Sequence, residues 1–237
     1  RRQRQMCIRD SPKTITGIVL SIADKIDSIV GLYAIEKYVT GSQDPFALRR
    51  SALGLINIIL QNNIDVDLKV LINDALIAYT EENELPFDYD LTMEKTLEFI
   101  KDRLKNMLID DGIRYDIVNS VISGDDTNIL RIYQKVQAVS ELLEEDEDCL
   151  SYFNRINNLA KEDISADISK DLFENDLEKS FYDEIRSLGD RAFQSSEDYK
   201  NELKSVAQTS KVGNEYLDNT MINVEDEAVK NLSLIHI

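Results

Sequence analysis

Histidine and cysteine, which carry much of the side-chain chemistry available at neutral pH, are nearly missing from this chain. A single histidine, His236, and two cysteines, Cys7 and Cys149, are all that its 237 residues hold. A general base, a catalytic triad or a metal shell therefore has almost no imidazole to draw on. The cysteines are far apart and outside any CxxC spacing, which excludes a disulfide framework and a thiolate zinc site and fits a reducing cytoplasm. Glycine, at 8, and proline, at 3, are scarce, so few connections can be tight hairpins. No apolar run approaches the roughly 20 residues of a membrane span, and the basic start, Arg1 to Ser11, lacks the apolar stretch of a signal peptide. Positive charge is also short: 27 Lys and Arg stand against 45 Asp and Glu, a formal charge of -18. Phosphate affinity rests on cations displacing counterions, so generic electrostatic nucleic-acid binding is excluded and any RNA contact has to be local.

What is present is a helical pattern. Apolar residues make up 43% of the chain and recur at helical spacing, enough for one large or two small domains in an all-α, bundle-like fold. From Pro12 to Tyr38, Ile15, Ile18, Val19, Ile22, Ile26, Ile29, Val30 and Tyr33 share one broad face, with Asp24, Lys25 and Asp27 toward the other. Asp44 is the expected N-cap of the next helix, with Pro45 at its first position and Asn62-Asn63 at its end. A shorter helix runs from Asp67 to about Thr80. Residues 81–90, EENELPFDYD, read as a linker and as the domain boundary. Further helices are expected over 91–110, ending near Gly112, and over 115–123, 127–145, 148–161, 170–193 and 198–217. Both ends, RRQRQMCIRDS and LSLIHI, are out of character with the body, so residues 1–11 and 232–237 are set aside as non-native tails.

The most distinctive string is TGSQDPFALRRSALGLINIIL, Thr40 to Leu60. It presents Arg49 and Arg50 in the first turns of a helix. Guanidinium forks suit phosphate or carboxylate, so a phosphate contact, an interface ion pair and a solvated helical face are all open on residue chemistry alone.

The longer run IADKIDSIVGLYAIEKYVTGSQDPFALRRSALGLINII, with FIKDRLKNMLIDDGIRYDIVNSVIS and NTMINVEDEAVKN, closely resembles bacterial glycyl-tRNA synthetase beta subunits in order and spacing. The resemblance covers the body from about Lys13 to Asn231 and implies the end of an HD-like helical region over 12–80 and a DALR-like anticodon-binding helical domain over 91–231. It further implies that the chain is the C-terminal part of a beta subunit that positions tRNA(Gly). A partner alpha subunit would hold the ATP and glycine site in a cytoplasmic alpha2beta2 assembly, leaving no catalytic residue and no cofactor here. Asp24 falls where HD phosphohydrolases place their last metal-ligating aspartate, but the upstream ligands are not in this chain, so no metal is expected. YFNRINNLAK resembles a "KR-x-x-NIL-x-K" stretch of the family, with Asn154 in place of its first lysine.

On this basis the candidates for tRNA contact are Arg49, Arg50, Arg103, Lys105, Arg114, Arg155, Asn158 and Lys161. Cations would take phosphates, and an amide such as Asn158, three residues from Arg155, would read an unstacked base. The acidic runs EEDED and EDE, at 144–148 and 225–227, read as solvated faces or as surfaces toward a partner. Two competing readings remain at this point. One is a helical scaffold joining subunits, which suits the negative charge; the other is a remnant HD-type phosphohydrolase, which the want of histidine opposes.

Overall fold

In the computed structural model, residues 12–39, 44–83, 86–159, 176–188 and 196–219 are described, and among them nine α-helices and no strand are found. They are α1 (Ile15–Ala34), α2 (Leu48–Gln61), α3 (Leu68–Asn83), α4 (Tyr89–Asp110), α5 (Tyr115–Ile122), α6 (Ile129–Glu145), α7 (Cys149–Leu159), α8 (Asp176–Leu188) and α9 (Ser196–Asn219). The all-α expectation holds. No helix among the described residues is long and apolar enough to cross a membrane. By packing, the chain falls into two compact units, residues 1–136 and 137–237.

In the first unit α1 packs against α2, α3 and α4, and α4 also packs against α2, α3 and α5. Ile29, Val30, Leu55, Ile56, Ile59, Ile72, Leu76, Ile100, Leu104 and Leu108 are fully buried at this junction. The polar 81–90 stretch therefore connects two helices, α3 and α4, that pack on each other; it joins parts of one compact unit, and the division by packing comes after Val136. Asp88 caps α4, its carboxylate accepting from Leu91 N at 3.0 Å.

Two expectations about α1 are corrected. It stops at Ala34, not Tyr38, because Glu36 turns left-handed at φ 57° while Lys37 N donates back to Leu32 O. That closure usually falls to glycine, so glutamate gave no sign of it. The apolar face is buried only from Ile22 onward: Ile15 and Val19 stand 81% and 61% exposed. The ends of α2 and α4 match the sequence signals, with Asn63 at φ 49° and Gly112 at φ 95°.

In the second unit α9 packs against α8 and α7. Among its described residues Phe181, Tyr216 and Leu217 form one hydrophobic cluster, with Leu177 and Val212 against them. The rings of Phe181 and Tyr216 stack with centroids 5.7 Å apart. Lys200 pairs with Glu141, and Lys204 with Glu145 at 2.8 Å, fastening α9 to the C-terminal part of α6.

Candidate functional site

The start of α2 fixes where Arg49 and Arg50 lie. Asp44 and Pro45 are not in the expected places: a turn, closed by Ala47 N donating to Asp44 O at 3.2 Å, precedes the helix, and Ala47 itself is the N-cap, left-handed at φ 56°. Asp44 nevertheless supplies the cap from further back, its two carboxylate oxygens accepting from Leu48 N at 2.8 Å and Arg49 N at 3.1 Å. The helix end is thus already occupied by a carboxylate. Leu48 is buried and anchors the turn, Arg49 is half-buried, and Arg50 is exposed.

Arg49 and Arg103 come together, one from α2 and one from α4. They line a cleft of about 210 Å³ with Tyr33, Tyr38, Val39, Lys95, Glu98, Phe99 and Asp102. The Arg103 guanidinium lies 5.7 Å from the centroid of Phe99, one helical turn earlier on α4. Its Nε is buried without a hydrogen-bond partner. Lys95 pairs with Glu98 at 2.9 Å on the exposed side of α4. Burial, above all, pushes the Tyr33 hydroxyl up to about 12, so at neutral pH it stays a neutral phenol in this wall. Position alone made Tyr33 a core residue. The tertiary fold also sets it beside two arginines. The aromatic four residues before Arg103 was the one available signal of this arrangement.

The other described candidates are not among the residues that line that cleft. Lys105 Nζ sits 5.0 Å over the ring of Tyr115, an exposed residue at the start of α5. Hydrogen bonding to Asn119, and then the Lys105 charge, hold the Tyr115 hydroxyl below its usual range. Arg114 grips Asp116 through two bonds, Nε to Oδ1 at 3.1 Å and Nη2 to Oδ2 at 2.6 Å, and that hydrogen bonding holds the Asp116 carboxyl low. Arg155 belongs to the second unit, where its Nη1 donates to Asn214 Oδ1 at 2.7 Å and Asp218 Oδ1 at 2.6 Å and so ties α7 to α9. Asn158, on the same helix, is exposed. Lys161 lies outside the described residues. Asp24 is exposed on α1, and no three metal-capable His, Cys, Asp or Glu side chains converge among the described residues. The seven described candidates therefore divide into an arginine pair in a cleft (Arg49, Arg103), cations held by aromatics or acids (Lys105, Arg114, Arg155), and exposed polar groups (Arg50, Asn158).

Residues 4–123 match the family described as "Glycyl-tRNA synthetase beta subunit", a span that begins within the stretch set aside as a tail and ends at the close of α5. Relatives named "Glycine--tRNA ligase beta subunit" are similar over nearly the whole chain. The Clostridioides difficile protein is 39% identical over 224 residues, 93% of this chain and 32% of the relative. The Desulforamulus reducens protein is 36% identical over 92% of this chain, and the Halothermothrix orenii protein 37% over 93%, each match again covering 32% of the relative. The chain thus spans about a third of the length of the relatives it matches.

Proposed function

Because this chain belongs to the glycyl-tRNA synthetase beta-subunit family, we propose that it is the C-terminal portion of the beta subunit of a glycine–tRNA ligase and that it positions tRNA(Gly) for aminoacylation by an alpha subunit. The observation that carries this is similarity of 39% identity sustained over 93% of the chain to a protein of that name. Conversion of ATP and glycine to an activated amino acid belongs, on this reading, to the alpha subunit of a cytoplasmic alpha2beta2 assembly, and this portion uses no cofactor. Its contribution is orientation: binding energy collected on the tRNA body is used to hold the acceptor end at the reacting centre. The DALR-like reading of 91–231 gives anticodon recognition to Arg155 and Asn158 on α7, and the HD-like reading of 12–80 leaves Asp24 as an ancestral position.

The scaffold alternative has one observation in its favour, the carboxylates that already hold Arg114 and Arg155. Charging by a reconstituted holoenzyme separates the two. With the double substitution Arg155→Gln and Asn158→Ala, tRNA positioning predicts a raised KM for tRNA(Gly), while a scaffold predicts unchanged tRNA affinity and altered assembly mass.

A further inference from the structure

We propose that the cleft between α2 and α4 holds a backbone phosphate of the bound tRNA, gripped by Arg103 with Arg49 beside it. This rests on the reading that the complete subunit binds tRNA, and it assigns a contact in the first compact unit in addition to the α7 residues.

Arg103 is the starting point. A guanidinium carries five donors in a fixed plane, and that of Arg103 lies over the Phe99 ring, 5.7 Å from its centroid. The buried Nε has no acceptor. Buried polar groups left unmade are few in folded proteins, because the group has given up water for nothing, and a charged donor suffers most. An acceptor supplied by a ligand removes that deficit. Arg114 and Arg155, by contrast, are held by Asp116 and Asp218.

The charge around the cleft favours an anion. Three cations, Arg49, Lys95 and Arg103, line it against two acids, Glu98 and Asp102, in a chain whose overall charge is -18. Lys95 and Glu98 engage each other at 2.9 Å. The amino end of α2 is not the anion site, since Asp44 occupies its Leu48 and Arg49 amides. Size narrows the ligand further. At about 210 Å³ the cleft is below the roughly 300–1,000 Å³ typical of small-molecule pockets. That size suits a phosphodiester better than a whole nucleotide. A phosphate contact carries no base information, so this site positions the tRNA and does not select it.

The test is the salt dependence of tRNA binding by the holoenzyme reconstituted from full-length subunits. Arg103→Gln is expected to weaken binding roughly tenfold at low salt and to lower the slope of log affinity against log salt by about one. The loss should be equal for tRNA(Gly) and a non-cognate tRNA. Arg103→Lys restores the slope, because it returns the charge without the fork. The thermal midpoint of Arg103→Gln stays level or rises, since the unsatisfied donor is gone. Arg49→Gln, read the same way, decides the matter if Arg103→Gln does not assemble. Unchanged slope and affinity in an assembled variant overturn the site while leaving the tRNA-positioning reading intact. Altered subunit assembly with unaltered tRNA binding also overturns it, showing that an acidic partner side chain fills the cleft. A wild-type holoenzyme that binds no tRNA overturns the broader reading first.

Discussion

Asp65 Oδ2 accepts a hydrogen bond from Arg131 Nη2 at 3.0 Å across 66 residues of chain. The pair belongs to a strap in which the connection between α2 and α3 is laid against the connection between α5 and α6. Asn128 donates its side-chain amide to Asp65, Thr127 Oγ1 donates to Asp67 Oδ1 at 2.6 Å, and Leu68 N donates to Thr127 O at 3.1 Å. The same residues cap helices, with Asp67 accepting from Lys69 N and Asn128 accepting from Arg131 N.

Asn128 is the residue the strap depends on most, being 4% exposed and bonded on both sides of its amide. Asn128→Ala removes a cap and leaves buried partners unmet, a loss of about 1–3 kcal/mol. Urea unfolding should show a lower midpoint with an unchanged slope.

Acid should loosen the strap in a defined direction. Hydrogen bonding from Arg131, above all, holds the Asp65 carboxyl below its usual 3.8. For Asp126, burial is the largest influence and pushes upward, but bonds from Lys135 and Asn128 N, with the nearby charges, outweigh it and the net shift is downward. A carboxyl with a depressed folded-state value stabilises fully above its unfolded value, and that contribution is lost as pH falls through the folded value. Stability should therefore hold to about pH 4 and decline below it, less steeply in Asp65→Asn. The effect at Asp65 is small because its side chain is 55% exposed. Denaturant titrations of both proteins across this range check the difference.

The α2 entry depends on Asp44. Asp44→Ala strips the acceptor from two amides, one belonging to buried Leu48, and should cost about 1–2 kcal/mol. Because Arg49 sits in the first turn that this cap fixes, the same variant should also weaken tRNA binding by the holoenzyme. A variant that unfolds at the wild-type midpoint contradicts the cap.

Gly31 marks a close approach of α1 to α3. A Cβ there would lie 2.9 Å from Cζ of Tyr79 and would strike its hydroxyl, which donates to Asp27 Oδ1 at 2.8 Å. A tyrosine ring is rigid, so Gly31→Ala must push Tyr79 aside, at about 1–3 kcal/mol. Adding Tyr79→Leu should recover part of that loss, and a double-mutant cycle measures the coupling.

In the second unit, Phe181 is 2% exposed and packs with Tyr216 and Leu217. Phe181→Ala should cost about 3–5 kcal/mol. Amide exchange in α8 and α9 should rise well before exchange in α1 to α4, and uniform acceleration along the chain would contradict separate units.

Helices were legible wherever periodicity and a stop signal agreed, as at Asn62-Asn63 and Gly112. They were misread where the chain used residues that advertise nothing, such as Glu36 and Ala47 in left-handed conformations. The polar 81–90 stretch looked like a domain boundary because local composition records solvent exposure and says nothing of whether the flanking helices pack together.

The amino-acid sequence by itself determined that this is an all-helical, strongly acidic chain without histidine chemistry, and its long ungapped strings determined its kinship. Both follow from local periodicity, composition and residue identity. Only the tertiary structure decided which side chains each cation meets. Arg49 and Arg103 are more than fifty residues apart, and whether a guanidinium meets a carboxylate, an aromatic face or nothing depends on how α2 and α4 pack. Arg114 and Arg155 look equivalent to Arg103 along the chain, yet Asp116 and Asp218 hold them, while Arg103 keeps a buried donor unmet.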